Sequence, residues 1–348
     1  MRIPLALALL AVALHALDLQ LLWTFDQPSD VIGDMALSSN GNLGIASWDN
    51  CAYIVDPNGN LLGKKCGRYS MDGAGYSNGV FGFVNLDDYV YLFYENGTFW
   101  KKIAVGDSHD TAIVLFDKGF IACDGYCAKY DFNGNKYWDT NVGGEVQDVV
   151  VHKGYVYAAN HGSYKLQILD LDTGEIVKEI SYDYYTGSVN ACGNYLAVIA
   201  DELYVYDISD PVNPRLLWKS VGLNVGWGEH TPAFSPDCKY IAVADTRNML
   251  NIFDINGDVV YSKYMGGTWS VAWWRDRLAV GYLLHDGGNW DGKVEMYRVV
   301  GYTPQPVTTT TTTTTTTSSS TTTLNISKIP VIALAAAFLM PKLRRKRE

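Results

Sequence analysis

Basic side chains are scarce over most of this 348-residue chain, which holds 27 Lys and Arg against 37 Asp and Glu for a formal net charge of −10. Six of those basic residues, with a single acid, fall after residue 323, and Arg2 lies at the opposite end. Setting them aside leaves −16 for the stretch between. A surface of that sign repels phosphate backbones and anionic lipid headgroups. It excludes a nucleic-acid binder and favours solubility, cation association or basic partners. Long apolar runs are missing as well. The best C-terminal stretch, twelve to fifteen residues around 329–340, reaches about 18–22 Å as a helix, against a hydrocarbon core of about 30 Å. Local catalytic signatures are absent: there is no His-Glu-x-x-His, no nucleophile elbow and no Ser/His/Asp pattern.

What the chain does have is a phrase repeated about every forty residues. An aromatic or aliphatic strand ends in an acid, a Gly/Asn/Asp turn follows, and a second strand often ends in Trp. The copies read CAYIVDPNGNLLGKK (51–65), YVYLFYENGTFWKK (89–102), CAKYDFNGNKYWDT (127–140), LQILDLDTGEIVKEI (166–180), LYVYDISDPVNPRLLWKS (203–220) and LNIFDINGDVVYSKY (250–264). A seventh, VEMYRVV (294–300), stops after its first strand. Upstream halves such as MALSSNGNLGIASW (35–48) and VNACGNYLAVIAD (189–201) are pairs of short apolar strands around tight turns. Four-stranded units at this period are propeller blades.

An orphan strand supplies what the seventh repeat lacks. LQLLWTF (19–25) matches RLLWKS (215–220) better than it matches any blade opening. An unpaired edge strand would expose a row of bare N–H and C=O groups, so a ring must close. The sequence therefore predicts an all-β fold: a seven-bladed β-propeller over 17–302, its last blade completed by the N-terminal strand.

Several repeats resemble known propeller families. GYVYAANHGSYKLQILDLDTGEIVKEI (154–180) resembles the YVTN-type repeat of archaeal surface proteins. YVYDISDPVNPRLLW (204–218) is similar to the LVIVD-type repeat of secreted propellers, and AFSPDCKYIAVAD (233–245) is WD-repeat-like. The resemblance spans roughly 19–302 and implies a propeller displayed at a cell surface, in the style of an archaeal envelope protein. It implies a scaffold and not a chemistry.

The ends bear on the compartment. Residues 1–16 combine Arg2, an apolar run and small residues suited to cleavage, the pattern of a secretory signal peptide. Residues 303–327 form a Thr/Ser-rich stalk that cannot bury apolar surface and invites O-glycosylation. Residues 328–348 pair a short apolar run with a basic cluster that belongs on the cytoplasmic side. Two readings stay open: a thin transmembrane anchor, or a sorting signal exchanged for a lipid. Either leaves the propeller extracellular and held to the membrane by its C-terminus. Asn96 and Asn325 stand in glycosylation sequons.

Six cysteines in a secreted chain form an even set. If Asp56 faces Leu61 across the turn between them, the register also places Cys51 opposite Cys66. Cys123 and Cys127 flank a three-residue connection, and Cys192 and Cys238 occupy equivalent turns of blades five and six. Disulfides are expected, since Cys-x3-Cys without partner pairs is a poor zinc pattern.

Functional residues are expected on the face where loops enter the inner strands and join the second strand to the third. His109, His161, His230 and His285 map there, as do Asp110, Glu229 and Asp286 and the indoles of Trp48, Trp227 and Trp290; His152 maps to the opposite face. The segments GLNVGWGEH (222–230) and HDGGNWDG (285–292) bring together Trp227, Glu229 and His230, and His285, Asp286, Trp290 and Asp291, in a pattern suited to a sugar or other polar ligand. Four loop histidines spread around a ring without a shared site are the plainer reading. Asp34, Asp72, Asp110 and Asp148 precede inner strands and form a prospective acidic rim for Ca²⁺, or else cap their own strand entries. The acids recurring beside the turns, Asp56, Asp131, Asp170, Asp207 and Asp254, read as fold support.

Three function classes follow. The first is a surface-anchored recognition module for an envelope protein, glycan or cation. The second is an extracellular enzyme, either a hydrolase or a quinoprotein-like oxidoreductase; DLDTGEIVKE (170–179) resembles the quinoprotein repeat, yet that family's regular terminal Trp is missing here. The third is a structural surface-layer component. The first fits the residues best.

Overall fold

The computed structural model describes residues 17–106, 109–223, 232–286 and 289–304. The predicted signal peptide, the stalk beyond residue 304, the C-terminal anchor and Asn325 lie outside them. Among the described residues, 28 strands form seven four-stranded antiparallel sheets, and no helix is long and apolar enough to cross a membrane. Blades one to six run from an inner strand outwards in chain order. Blade one (32–66) orders Ile32–Leu37, Leu43–Ser47, Cys51–Val55 and Leu61–Cys66. The middle strands Leu43–Ser47 and Cys51–Val55 are buried throughout, whereas Leu61–Cys66 is largely exposed. This gradient explains the sequence pattern: strands sandwiched between blades read as continuous apolar runs, and rim strands alternate with charge.

Blade seven closes the ring as expected. Its inner three strands are Thr268–Trp274, Arg277–Asp286 and Asn289–Val300, and its outer strand is Asp18–Phe25 from the start of the chain. The ladder pairs Leu19 with Val299 and Phe25 with Val294, with a bulge between Leu21 and Trp23. Seven apolar clusters fill the seven gaps between neighbouring blades. Between blades one and two, for example, Ala46 and Ile54 pack with Met71, Phe81, Phe83 and Phe93.

The Trp that ends many rim strands has a defined task. Trp23 Nε1 donates to Pro57 O at 2.9 Å, Trp138 Nε1 to Leu171 O at 3.1 Å and Trp218 Nε1 to Ile255 O at 2.9 Å. In each case the acceptor is the residue after the repeated turn acid of the next blade. Each indole also lies on that turn's glycine, Gly59, Gly174 or Gly257, where a Cβ would come within 2.6–2.9 Å of the ring. All three glycines have positive φ, so their identity is required twice. Blade four ends in Ile176–Ser181 without a Trp, and there Lys153 Nζ reaches the equivalent carbonyl, Ile208 O, at 2.9 Å. The turn acids themselves act as fold support. Asp56 Oδ1 accepts from the N–H groups of Asn58 and Asn60, and Asp131 and Asp254 repeat that arrangement.

The three disulfides join Cys51 to Cys66, Cys123 to Cys127 and Cys192 to Cys238, and no described cysteine is free. Three bridges of this kind fit an oxidising, extracellular environment. One step toward the first pairing needs correction. Asp56 closes its hairpin with Asn60, not Leu61, and a bulge between Ile54 and Val55 absorbs the extra residue, which restores the Cys51–Cys66 register. The loop expected over 285–292 is also different. The ladder continues through Leu284–Asp291, His285–Trp290 and Asp286–Asn289, so the segment is the upper part of a long hairpin. Gly287-Gly288 between two strands is a hairpin signal that outweighs the loop-like composition.

Candidate functional site at the channel mouth

The inner strands of all seven blades surround a channel of about 300 Å³. Most of its lining residues carry apolar side chains, Met35, Leu37, Ile113, Val149, Val189, Phe234 and Val271 among them, yet the surface it exposes is predominantly polar. At the end where inner strands begin, the channel meets a narrow polar cavity of about 20 Å³, lined in part by Asp34, Asp72, Thr111, Gln147, Asp148 and Ser188. That volume holds about one water-sized group. Asp34 and Asp148 line both spaces and so form the neck between them.

Bulges set which acids reach the neck. The first pairs of blades one, two, four and seven are interrupted between Ile32 and Asp34, Met71 and Gly73, Val146 and Asp148, and Thr268 and Ser270. Asp34 and Asp148 therefore occupy one structural position, shared with Gly73 and Ser270. Asp72 sits on the bulge itself, one residue earlier. Asp110 is buried two residues before Ala112–Phe116 and does not line the cavity. The four acids expected as a rim are thus not equivalent. Two converge, a third shares the cavity wall and the fourth stands apart.

Both neck carboxylates cap and clasp at once. Asp34 Oδ1 accepts from its neighbour Met35 N at 2.7 Å, while Oδ2 accepts from Ala74 N of blade two at 2.9 Å. Asp148 Oδ1 accepts from Val149 N at 2.7 Å, and Oδ2 takes Val189 N at 2.9 Å and Ser188 Oγ at 2.7 Å from blade five. In the same position Ser270 Oγ donates to Ile32 O at 3.0 Å, linking blade seven to blade one. Burial, with the charge of Asp148 added, pushes the Asp34 carboxyl up to about 7, against the pull of its two backbone donors. Burial likewise raises Asp148, opposed by Val189, Ser188 and Val149. Neither acid belongs to an ion pair among the described residues. The neck is therefore a place where a proton or a small cation is favoured. No group of three or more His, Cys, Asp or Glu among the described residues is arranged to hold a metal ion.

Among the described residues, His109 and His161 stand in different blades with different partners. His109 is buried in blade three, its Nε2 3.0 Å from Asp139 Oδ1. His161 stacks on Tyr185 with ring centroids 4.2 Å apart, and its Nδ1 lies 4.0 Å from Glu145 Oε2. Burial lowers the His161 pKa, offset by Glu145. Trp227, Glu229 and His230 lie outside the described residues, though the segment's base is fixed: Glu202 accepts from Gly222 N at 2.6 Å and Leu223 N at 3.0 Å. Backbone pairing makes His285 and Trp290 cross-strand neighbours near the hairpin end, with Asp286 opposite Asn289, and Asp291 is exposed beside them. Thr111, Gln147 and Ser188 were missed by sequence reasoning. Their only signal was alignment of each blade's strand entry, which the bulges obscure.

Closed in this way, the seven sheets define a β-propeller repeat protein. Within it, the LVIVD repeat matches residues 143–171 and 185–219, the segments that build much of blades four and five. The first of these includes part of the stretch that resembles the YVTN type. No curated protein matches the chain.

Proposed function

We propose that the protein is a recognition module, held at the cell surface by its C-terminal segment, that uses the entrance face of the propeller to bind an envelope protein or glycan. The observation carrying this reading is the neck. Two carboxylates from blades one and four meet at a cavity for one small group, on the face from which the inner strands start. A ligand seated across that face would present a cation to Asp34 and Asp148 and rest on Trp227 or Trp290. Ca²⁺ is the cofactor this oxygen chemistry suits, with the partner completing a shell of six to eight oxygens. Asp72 would contribute from the cavity wall; Asp110 has no part in this reading.

The test is cross-linking of the full-length protein in its native envelope, read by mass spectrometry, with and without chelator. A single stoichiometric partner, lost in Trp227→Ala or Trp290→Ala, is the expected outcome. Chelator sensitivity would bring in the neck carboxylates. Failure to capture any partner under both conditions would sink the recognition reading and turn attention to small substrates.

A further inference from the structure

The overall negative charge conceals a local exception on the rim. Strands Leu61–Cys66 and Phe99–Ala104, the outer strands of blades one and two, carry Lys64, Lys65, Lys101 and Lys102, and Arg68 follows the first strand. These account for five of the 27 basic residues in a chain with ten more acids than bases. Among the described residues elsewhere, eight Lys and Arg pair with acids, as Lys165 does with Glu179 and Arg215 with Asp207, while others such as Lys178 and Lys263 do not. None of the five takes part in an ion pair among the described residues. They stand on aromatic rings instead. Lys65 Nζ lies 5.2 Å from the Phe99 centroid across the blade boundary, and Lys102 Nζ lies 3.7 Å from that of Tyr89. Lys64 covers Tyr53 at 4.5 Å, Lys101 covers Trp100 at 4.3 Å and Arg68 lies 5.0 Å from Tyr69. A ring face holds an ammonium in place without neutralising it or occupying its outward N–H groups.

Between the two strands runs an open groove of about 430 Å³, lined by Lys65, Arg68 and Lys102, by the rings of Tyr91 and Phe99, and by one acid, Asp87. Its Oδ2 accepts from Tyr91 Oη at 2.7 Å and from Arg68 N at 3.3 Å, and its Oδ1 is buried without a hydrogen-bond partner, so neither oxygen faces the open groove freely. The groove's walls are fixed close by. Gly63 and Gly97 let the blade-two turn close onto the blade-one rim strand, where a Cβ on Gly63 would lie 2.0 Å from Gly97 O. The Cys51–Cys66 bridge ties the same strand to its neighbour.

We propose that this groove binds an anionic polysaccharide, one bearing carboxylate or sulfate on successive sugars. Cations on both walls suit a ligand charged along its length rather than a single small anion. Arg68 offers a fork matched to an oxyanion, and Lys65 and Lys102 offer point charges. Tyr91 and Phe99 give sugar C–H faces an apolar surface between them. The groove lies at the outer edge of the entrance face, where Arg68 and Asp87 stand in its loops, and shares no lining residue with the neck, so it stands whether or not the neck binds a ligand.

Binding of the purified full-length protein to polygalacturonate and to heparin, measured by interferometry at about 50 mM and about 300 mM salt, tests the proposal. The first probe carries carboxylate and the second sulfate. Saturable, salt-sensitive binding to at least one is expected. It should weaken about tenfold or more in Lys65→Gln/Lys102→Gln, where charge-assisted hydrogen bonds are lost, and in Arg68→Gln, which lies outside any strand and leaves the blades intact. Lys178→Gln/Lys263→Gln, two rim lysines of other blades, should leave it unchanged. Neutral dextran, poly-glutamate and single-stranded DNA serve as competitors. Absence of binding to both probes, equal binding by the groove variants, or stronger binding to poly-glutamate or DNA would each overturn the proposal.

Discussion

The indole Nε1 of Trp23 donates to the carbonyl oxygen of Pro57 at 2.9 Å, and this bond joins the first strand of the chain to the turn of blade one. The same carbonyl accepts from Arg277 Nη1 at 2.6 Å, so blade seven reaches it twice. Trp23 thus fixes the strand that closes the ring, paired with Asn289–Val300 inside blade seven, against the blade that follows it in the chain. Trp23→Phe keeps most of the packing and removes the bond, which should cost about 1 kcal/mol. Trp23→Ala should cost about 3–5 kcal/mol. Urea unfolding checks both, alongside Trp138→Phe and Trp218→Phe. If Trp23→Phe speeds unfolding no more than the other two, ring closure is not the weak point.

The bridge from Cys192 to Cys238 joins blades five and six across a sequence separation of 46, against 15 for Cys51–Cys66 and 4 for Cys123–Cys127. In the chain-entropy model these correspond to about 4, 3 and 2 kcal/mol. Paired Cys→Ser variants should therefore lose thermal stability in that order. His152 Nε2 of blade four meets Gly193 O at 2.8 Å, so the turn that carries Cys192 keeps a polar link to blade four when the sulfurs are gone. An inverted order in calorimetry would show that native-state packing, and not loop closure, governs these contributions.

The turn acids give stability with a defined pH window. Asp131 is held below the usual carboxylate range by Asn135 first and Asn133 after it, and Asp207 is lowered to about 2 by Ser209 with help from Arg215. A carboxyl whose folded pKa is depressed contributes fully above its unfolded value near 4, and that contribution fades as pH falls through the folded value. Asp131→Ala and Asp207→Ala should each lower the melting temperature at pH 7 and raise the midpoint of acid unfolding. Unchanged acid midpoints in both would remove these turns from the account of acid stability.

Much of the fold was legible because the repeated unit announces itself in every blade. The turn acid, the glycine and the terminal Trp recur together since Trp138, for instance, needs both the Leu171 carbonyl and the bare face of Gly174. Ring closure followed from the missing strand of blade seven. The neck was only half legible. A one-residue bulge before Asp34 and Asp148 decides which side chains converge, and nothing local distinguishes Asp72, one step out of phase, from its counterparts. The basic groove was hidden for another reason. Net charge averages over the whole surface, whereas Lys65 and Lys102 meet only when two rim strands are placed side by side.

Asp34 should respond to pH in the opposite sense to the turn acids. Its folded pKa is raised to about 7 by burial and by Asp148, so between about 4 and 7 the folded protein retains a proton that the unfolded chain has released. Over that window this group's contribution to stability falls as pH rises, and above 7 the cost of the buried charge is fully present. Asp34→Asn cannot ionise. It also turns an amide N–H₂ toward Met35 N or Ala74 N, each of which the carboxylate now accepts from, so it should be less stable than the parent at pH 5. Its melting temperature should nevertheless decline less between pH 5 and pH 8. Asp148→Asn should show the same flattening and lower the Asp34 pKa by removing the neighbouring charge. Differential scanning calorimetry across that range gives the slopes, and parallel profiles for parent and Asp34→Asn would mean that the neck does not titrate there. Millimolar Ca²⁺ supplies the complementary check: if it binds between these carboxylates, it should raise the parent's melting temperature at pH 8 far more than that of either variant, because a ligand stabilises only the state that binds it.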